Sequence, residues 1–569
     1  MMEKWGENYC LIGPYVPAQA AAEFEPITED DGTPFYQAVG KVREMGVEVH
    51  YGHWLVTGRP SVVLLNVYSV FHRLDQIKFL LWENHYLPTH QNDDLSNQVV
   101  AFGELVKLYL TQLAHAEAKD KAIIAHFHEW MVGTAIPDLR RDQVPLSIVF
   151  TTHATMLGRY LAMNNPNFYD HLPFVNWLQE AQRFHIEPAV RIERAAAHGA
   201  HVFSTVSEVT SRECMFLLDR SPDVVLPNGL NIQRFTALHE FQNLHQKFKE
   251  KIHAFVMAHF FQSYAFDLDN TLYFFTSGRF EYRNKGFDLT LEALARLNHK
   301  MQKEGMETTV VMFFITKQPY RSLNPDILHS RALMDELRET CEAITKQVGE
   351  RLFYAAAAST EFKVPALRDF VDDYWKLRYR RTLMSWKTQV LPSVVTHNLI
   401  NDHSDEILQF LRRANFVNHA HDKVKIVYHP DFISVTNPLF GMEYGQFVRG
   451  CHLGIFPSYY EPWGYTPLEC IARGVPAVTS DLSGFGDYVT QKMETTADKG
   501  IFVVNRRNRG FDDAANQLAA YLLAFVKQNR RDRITQRNAV ESSSEQFDWQ
   551  NLREHYDRAH QMVKQVTHS

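Results

Sequence analysis

Hydrophobic residues fall along this chain in two rhythms, and the change between them marks its elements. Short unbroken runs of Val, Ile, Leu and Phe stand at "YCLIGPY", "VEVHYGHWL", "SVVLLNV", "KAIIAHF", "LSIVFTTH" and "HVFSTVS" within the first 235 residues. Such runs read as strands buried on both faces, the condition of strands in a parallel sheet. Stretches such as "FGELVKLYLTQLAHAEAK" between them are long enough for crossover helices. A second series follows at "TLYFFTSG", "TTVVMFFIT", "KVKIVYHP", "CHLGIFPS", "VPAVTSD" and "GIFVVN". Between the two series Phe241, Leu244, Phe248, Ile252, Phe255 and His259 recur every three or four residues, a helical period.

Alternating strands and helices predict an α/β chain with two Rossmann-like, doubly wound domains facing each other across a cleft. The predicted boundaries are 1–235 for the N-terminal domain, 236–264 for a connecting helix, and 265–545 for the C-terminal domain. A charged helical insertion is expected at about 325–415, and a C-terminal segment, 546–569, returning toward the first domain.

The totals narrow the classes. A chain of 569 residues exceeds one hydrophobic core. A formal charge of −7 argues against non-specific nucleic-acid binding. No stretch of 18 uncharged apolar residues predicts a membrane span, and "MMEKWGENYC" is charged where a signal peptide would be apolar. Five cysteines without a Cys-x-x-Cys pair point to a reducing, cytoplasmic setting.

Several segments carry candidate chemistry. Asp267, Asp269 and Thr271 match the Asp-x-Asp-x-Thr spacing of phosphatases, yet the strand follows the aspartates instead of preceding them, so a turn entering a strand is expected. In "GIFPSYYEPWGYTPLECIARGVPAV" a helix is predicted to start at Thr466, capped by Thr466 with Pro467 first and Glu469 third. Its free amides suit a diphosphate. Glu461 and Glu469 flank that point, as acceptors for sugar or ribose hydroxyls or simply as a loop residue and a cap. Arg279 and Lys285, after the strand "TLYFFTSG", are either fixed cations for a departing phosphate or a solvated basic loop. His126 and His128 end one strand of the first domain, and His153 and Arg159 follow the next. They lack further ligands at a metal spacing. Arg530, Arg533 and Arg537 share one helical face, as an anion site or a solvated surface.

Taken together, "EKWGENYCLIGPY", "AHFHEWM", "FTTHATMLGRYL", "PNGLN", "HEFQNLH", "LYFFTSGRFEYRNKGFD", "FVRGCHLGIFPSYYEPWGYTP", "LSGFG" and "RRDRITQRN" resemble the eukaryotic-type glycogen synthases nearly end to end. The resemblance implies the GT-B architecture and retaining transfer of glucose from UDP-glucose to glycogen through α-1,4 links, with no metal and no cofactor. Arg279 and Lys285 would hold the donor phosphates, Glu461 would lie near the glucose and Glu469 near the ribose. Gly464, Tyr465, Thr466 and Tyr444 would complete the donor site, with His128 and Arg159 from the first domain. His239, Gln242, Asn243, His245, Arg530, Arg533 and Arg537 would bind glucose 6-phosphate, an allosteric activator, in a cytoplasmic homotetramer that also meets glycogenin. Three departures stand out: the family's earlier strand and Gly-rich loop precede "EKWGENY", Ala539 and Ser542 stand where Arg is usual, and the chain ends without a Ser-rich tail. The alternative they raise is a truncated, catalytically impaired isoform or paralogue that binds glycogen or glycogenin.

Overall fold

A computed structural model describes residues 1–90, 93–117, 121–235, 241–358, 366–493 and 496–568. The chain divides into two units, Met1–Gly229 with Trp549–Ser569, and Leu230–Asp548.

In the first unit the apolar runs form β1 (Cys10–Pro14), β3 (Val49–Trp54) and β4 (Ser61–Leu65), with a short β2 (Phe24–Pro26) added. Their order is β1-β4-β3-β2. β1 runs parallel to β4, but β3 is antiparallel to both β4 and β2. The expectation of parallel strands fails here for a geometric reason. Only "LVTGRP" joins β3 to β4, and a turn that short cannot carry a crossover. The remaining strands, β5 (Ile124–His128), β6 (Ser147–Thr152), β7 (Val202–Thr205) and β8 (Val224–Val225), pair in chain order and in parallel. The helix Asp94–Glu117 joins the two sheets into one core. Its Val99, Leu105, Tyr109 and Leu113 cluster with Val63 and Leu65 of β4 and with Phe127, Ile148 and Phe150 of β5 and β6. The helix Trp549–His568 packs Tyr556, Ala559 and Val563 on Val149, Val202, Val224 and Leu226.

The second unit holds β9 (Thr271–Ser277), β10 (Thr309–Ile315), β11 (Tyr320–Leu323), β12 (His397–Leu399), β13 (Val424–His429), β14 (Leu453–Ile455), β15 (Ala477–Ser480) and β16 (Ile501–Val504). Six of them form one parallel sheet in the order β13-β10-β9-β14-β15-β16. Both faces are covered, which is why the sequence shows unbroken apolar runs instead of alternation. Leu272 and Phe274 of β9, with Val310, Met312 and Phe314 of β10, meet the helices Phe287–Lys303 and Phe511–Lys527. On the other face Phe313 meets Phe447 edge-on at 5.3 Å, and Phe255 lies 4.6 Å from Phe440.

The helix Phe241–Phe260, expected as a connector, belongs to this unit and packs on the helices Tyr444–Gly450 and Pro325–Ala358. β11 and β12 pair antiparallel and bracket the insertion, whose helices Pro325–Ala358 and Asp373–Trp386 pack on each other. The Asp-x-Asp segment is a turn. Asp267 Oδ1 accepts from Asp269 N at 2.9 Å, the Thr271 hydroxyl donates to Asp267 O at 2.5 Å, and β9 starts at Thr271.

The strand order fixes where chemistry belongs. From β9 the chain moves outward through β10 to β13, then returns to β14 and moves the other way through β15 to β16. The order reverses between β9 and β14, and in open α/β sheets ligands bind beyond the strand ends at that point.

Candidate active site

The loops that follow β9 and β14 meet at this switch point. Lys285, on the first loop, donates a hydrogen bond from Nζ to Oε2 of Glu461, on the second. The two backbones are also joined, since Tyr459 N and Tyr460 N both donate to Asn284 O, at 2.9 and 3.2 Å. Gly286 lies flat against the second loop with φ +72°, and a Cβ there would stand 2.3 Å from Pro457 O. Only glycine allows both the conformation and the approach. Glu461 is held from its other side, where its carbonyl accepts from Gly484 N at 2.9 Å.

The following helix is Tyr465–Ala472, and its start corrects the expected capping box. Gly464, at φ +117°, is the N-cap, so the helix begins two residues earlier than that cap implies and Thr466 and Glu469 play no capping role. Tyr465 and Thr466 thereby occupy its first turn, where amide N–H groups lack helical partners. Gly474, at φ +71°, follows the helix end as the sequence predicts. Glu469, freed from capping, accepts from Arg473 Nη1 at 3.3 Å one turn along. Tyr444 shares a hydrogen bond with Ser277, the last residue of β9, at 2.6 Å, and burial pushes its phenol up. Arg279 departs from this cluster. Its side chain is 76% exposed and approaches Glu281 at 3.5 Å, so it is free to swing toward a ligand but is not pre-positioned on Glu461.

In the first unit β5 ends with two stacked imidazoles. His126 and His128 lie on the same face of the strand with ring centres 4.3 Å apart. His126 Nε2 contacts Thr151 Oγ1 at 2.7 Å, and its Nδ1 lies 3.4 Å from Nε2 of His560. His128 Nδ1 shares a hydrogen bond with His153 Nε2 at 3.1 Å. Burial, reinforced by His153 and His560, pushes His128 down to about 4 although part of its ring is exposed. These rings are therefore neutral near pH 7 and suited to hydrogen-bond hydroxyls. Arg159 is exposed on the helix Met156–Asn164 and faces Glu129. Glu129, at φ +70°, accepts from His153 N at 3.1 Å. The fully buried Glu193 accepts from the Thr152 hydroxyl at 2.6 Å and from Met156 N at 2.9 Å. Sequence reading missed both carboxylates, which anchor the segment carrying His153 and Arg159.

With this geometry in hand, the family described as glycogen synthase matches residues 1–569. This chain belongs to the glycogen synthase family. It is 44% identical to the glycogen [starch] synthase of Neurospora crassa over 98% of this chain and 79% of that protein. Isoform 1 from Saccharomyces cerevisiae is 41% identical over 98% and 81%, and the human liver enzyme 42% over 99% and 79%. Among solved structures, the catalytic domain of starch synthase IV from Arabidopsis thaliana aligns over 98% of this chain and 99% of its own, at 13% identity and a TM-score of 0.46.

This family member carries a second polar cluster in its second unit, on the helix Arg530–Ser544. Arg530 is exposed, Arg533 half-buried and Arg537 buried, the last donating from Nη2 to Cys451 O at 2.5 Å. Burial pushes Arg537 down to about 9. His245 donates from Nδ1 to Arg449 O at 2.8 Å and meets His452 edge-on at 4.9 Å. Asn243 is exposed on the same helix, while His239 and the Gln242 side chain lie outside the described residues. Two members of the cluster escaped the sequence reading. Lys249, one helical turn beyond His245, is pushed down by burial and by Arg533, Arg530 and Arg537, with Asp269 opposing. His452 accepts from Tyr273 N at 2.9 Å. The spacing of His245 and Lys249 was the available signal for the first. The cluster holds more cations than its carboxylates, Asp269 and Asp532, an arrangement suited to an anion.

Proposed function

We propose that this chain transfers glucose from UDP-glucose to the non-reducing end of glycogen, forming α-1,4 links with retention. The observation that carries this reading is the Lys285–Glu461 contact at the switch point between β9 and β14 in a glycogen synthase family member. In this reading the donor's phosphates reach Lys285 beyond the strand ends, where it contacts Glu461 on the loop leading to the helix Tyr465–Ala472. A departing diphosphate would take over the Lys285 ammonium from Glu461, and Arg279 would swing in as the second cation. Neutralising a leaving anion in this way lowers the barrier without a metal or cofactor. Glu461, released from Lys285, accepts from hydroxyls of the transferred glucose, and Glu469 from the ribose. His128 donates or accepts at a sugar hydroxyl through a neutral ring. The diphosphate itself takes the acceptor's proton on the face it leaves, so retention needs no protein nucleophile.

In the same reading the cations of Arg530, Arg533, Arg537 and Lys249 bind the phosphate of glucose 6-phosphate, and the response passes through a homotetramer. The end-to-end family match favours the enzyme over a non-catalytic glycogen- or glycogenin-binding paralogue. None of the chain's described helices is long and apolar enough to cross a membrane. The test is transfer of labelled glucose from UDP-glucose to glycogen, comparing the chain with Glu461→Ala. Equal transfer by the two proteins would overturn the reading.

A further inference from the structure

The contact between Lys285 and Glu461 joins two loops far apart in sequence, and something must hold those loops in register. Arg506, just beyond the edge strand β16, is tied to three neighbouring strand ends. Its own strand supplies its backbone. Its N–H donates to Asp481 Oδ1 at 2.7 Å, at the end of β15. Its Nη1 reaches across to Pro457 O, beyond β14, at 2.6 Å. Pro457 O is the atom against which Gly286 packs, so Arg506 grips the point where the Lys285 loop and the Glu461 loop touch.

The aromatic ring beside this point is clamped as well. The guanidinium groups of Arg283 and Arg506 each lie 5.4 Å from the centre of the Tyr459 ring. Asp288, in the first turn of the helix Phe287–Lys303, attracts both cations, and Asp481 attracts Arg506 as well. The charged and titratable groups around Asp288 are Arg506 and Arg283, with Tyr282 alongside, while Arg506 also faces Tyr459 and Asp481.

We propose that Arg506 is a positioning residue for glucose transfer, holding Lys285 and Glu461 at their working separation, with Asp288 as its counter-charge. Neither touches the reacting atoms. Arg506 acts through Pro457 and Tyr459, and Asp288 through Arg506. Burial pushes the Asp288 carboxyl up to about 6, against the pull of Arg506. Protonation there takes one of the two carboxylates, Asp288 and Asp481, away from Arg506, which loosens the grip. The acid limb of turnover is therefore set by this pair.

The inference rests on the glucosyltransferase reading, and the experiment separates the two. Turnover of UDP-glucose on glycogen is measured between pH 5 and 8 for the unaltered chain, Arg506→Gln, Arg506→Lys and Asp288→Asn. Arg506→Gln should lower kcat about 10-fold or more with KM for the donor changed far less, because a small misplacement of reacting groups is costly. It should also move the acid limb to higher pH, since Asp288 loses its main cation. Arg506→Lys restores the charge without the fork and should recover part of the rate. Asp288→Asn should remove the limb near pH 6. An acid limb in Asp288→Asn that coincides with that of the unaltered chain overturns the positioning role, even if Arg506→Gln fails to fold. An unaltered chain that transfers no glucose overturns the catalytic reading, and this inference with it.

Discussion

Lys285 and Glu461 are hydrogen-bonded although 176 residues separate them in the sequence. Each leaves a neighbouring strand of the six-stranded sheet, and both side chains are less than a quarter exposed. The pair brings a cation and a carboxylate to the one place where the order of strands reverses.

Removing the cation should therefore cost more than removing a surface charge. Lys285→Met is expected to lower kcat/KM for UDP-glucose by roughly 10²- to 10³-fold, the usual loss when one preorganised group facing developing charge is deleted. Steady-state kinetics at saturating glycogen checks this, and a loss under threefold would argue that Lys285 is only a structural partner of Glu461.

Gly286→Ala should damage the same site through the backbone. A left-handed φ and a Cβ 2.3 Å from Pro457 O together predict about 1–3 kcal/mol of destabilisation. Denaturant unfolding measures it. An unchanged midpoint would mean the two loops separate more easily than their contacts imply.

Acid should destabilise the chain by forcing a charge onto a buried histidine. His259 is 1% exposed, donates from Nε2 to Ser393 O at 2.8 Å, and is pushed by burial down to about 4. Its neutral form is favoured in the fold, so its contribution is complete above the unfolded value near 6.5 and is lost as pH falls toward 4. At pH 5 the loss amounts to about 2 kcal/mol for this residue alone. His259→Gln keeps a donor for Ser393 and should flatten the fall of Tm between pH 7 and 5. A slope no shallower than that of the parent chain contradicts the assignment.

Thiol reactivity should single out one cysteine. Cys341 is exposed, whereas Cys214, Cys451 and Cys470 are buried, and burial pushes their thiols up. Cys10 is half-buried and pushed the same way. A chromogenic disulfide reagent should titrate about one thiol rapidly in the native chain, and Cys341→Ser should abolish that phase.

The cationic cluster predicts ligand-dependent stability. Glucose 6-phosphate at about 100 times its Kd should add about 2.7 kcal/mol to the unfolding free energy. The combined variant Lys249→Ala with Arg533→Ala should lose most of that gain in a thermal-shift titration. An equal shift in both proteins would place the ligand elsewhere.

What the sequence revealed, and what it hid, follows from range. The runs "TLYFFTSG" and "TTVVMFFIT" identify β9 and β10 because a strand covered on both faces has no polar positions. Glu461 and Lys285 are legible because each follows such a run directly. The antiparallel course of β3 is set by the length of one turn, a signal that competes with identical apolar patterning. The start of the helix at Tyr465 depends on Gly464 adopting a left-handed conformation, which Thr466 and Pro467 mask by offering a plausible cap of their own. Arg506 sits in "NRRNRG", which reads as a solvated basic loop. Its partners Pro457 and Asp288 lie dozens to hundreds of residues away, where no local pattern can point to them. Arg279 is the reverse case, since its place after β9 is legible but its outward side chain is not.

The first unit is assembled from both ends of the polypeptide, with Tyr556, Ala559 and Val563 covering Val149, Val202, Val224 and Leu226. During synthesis that surface must wait, uncovered, while the intervening stretch is translated, for roughly 20–60 s at ordinary ribosome speeds. The middle of the chain, by contrast, is a continuous stretch and can fold as it emerges. A nascent chain stalled before Trp549 would thus present a finished second unit beside a sticky, half-covered first one, a natural client for chaperones.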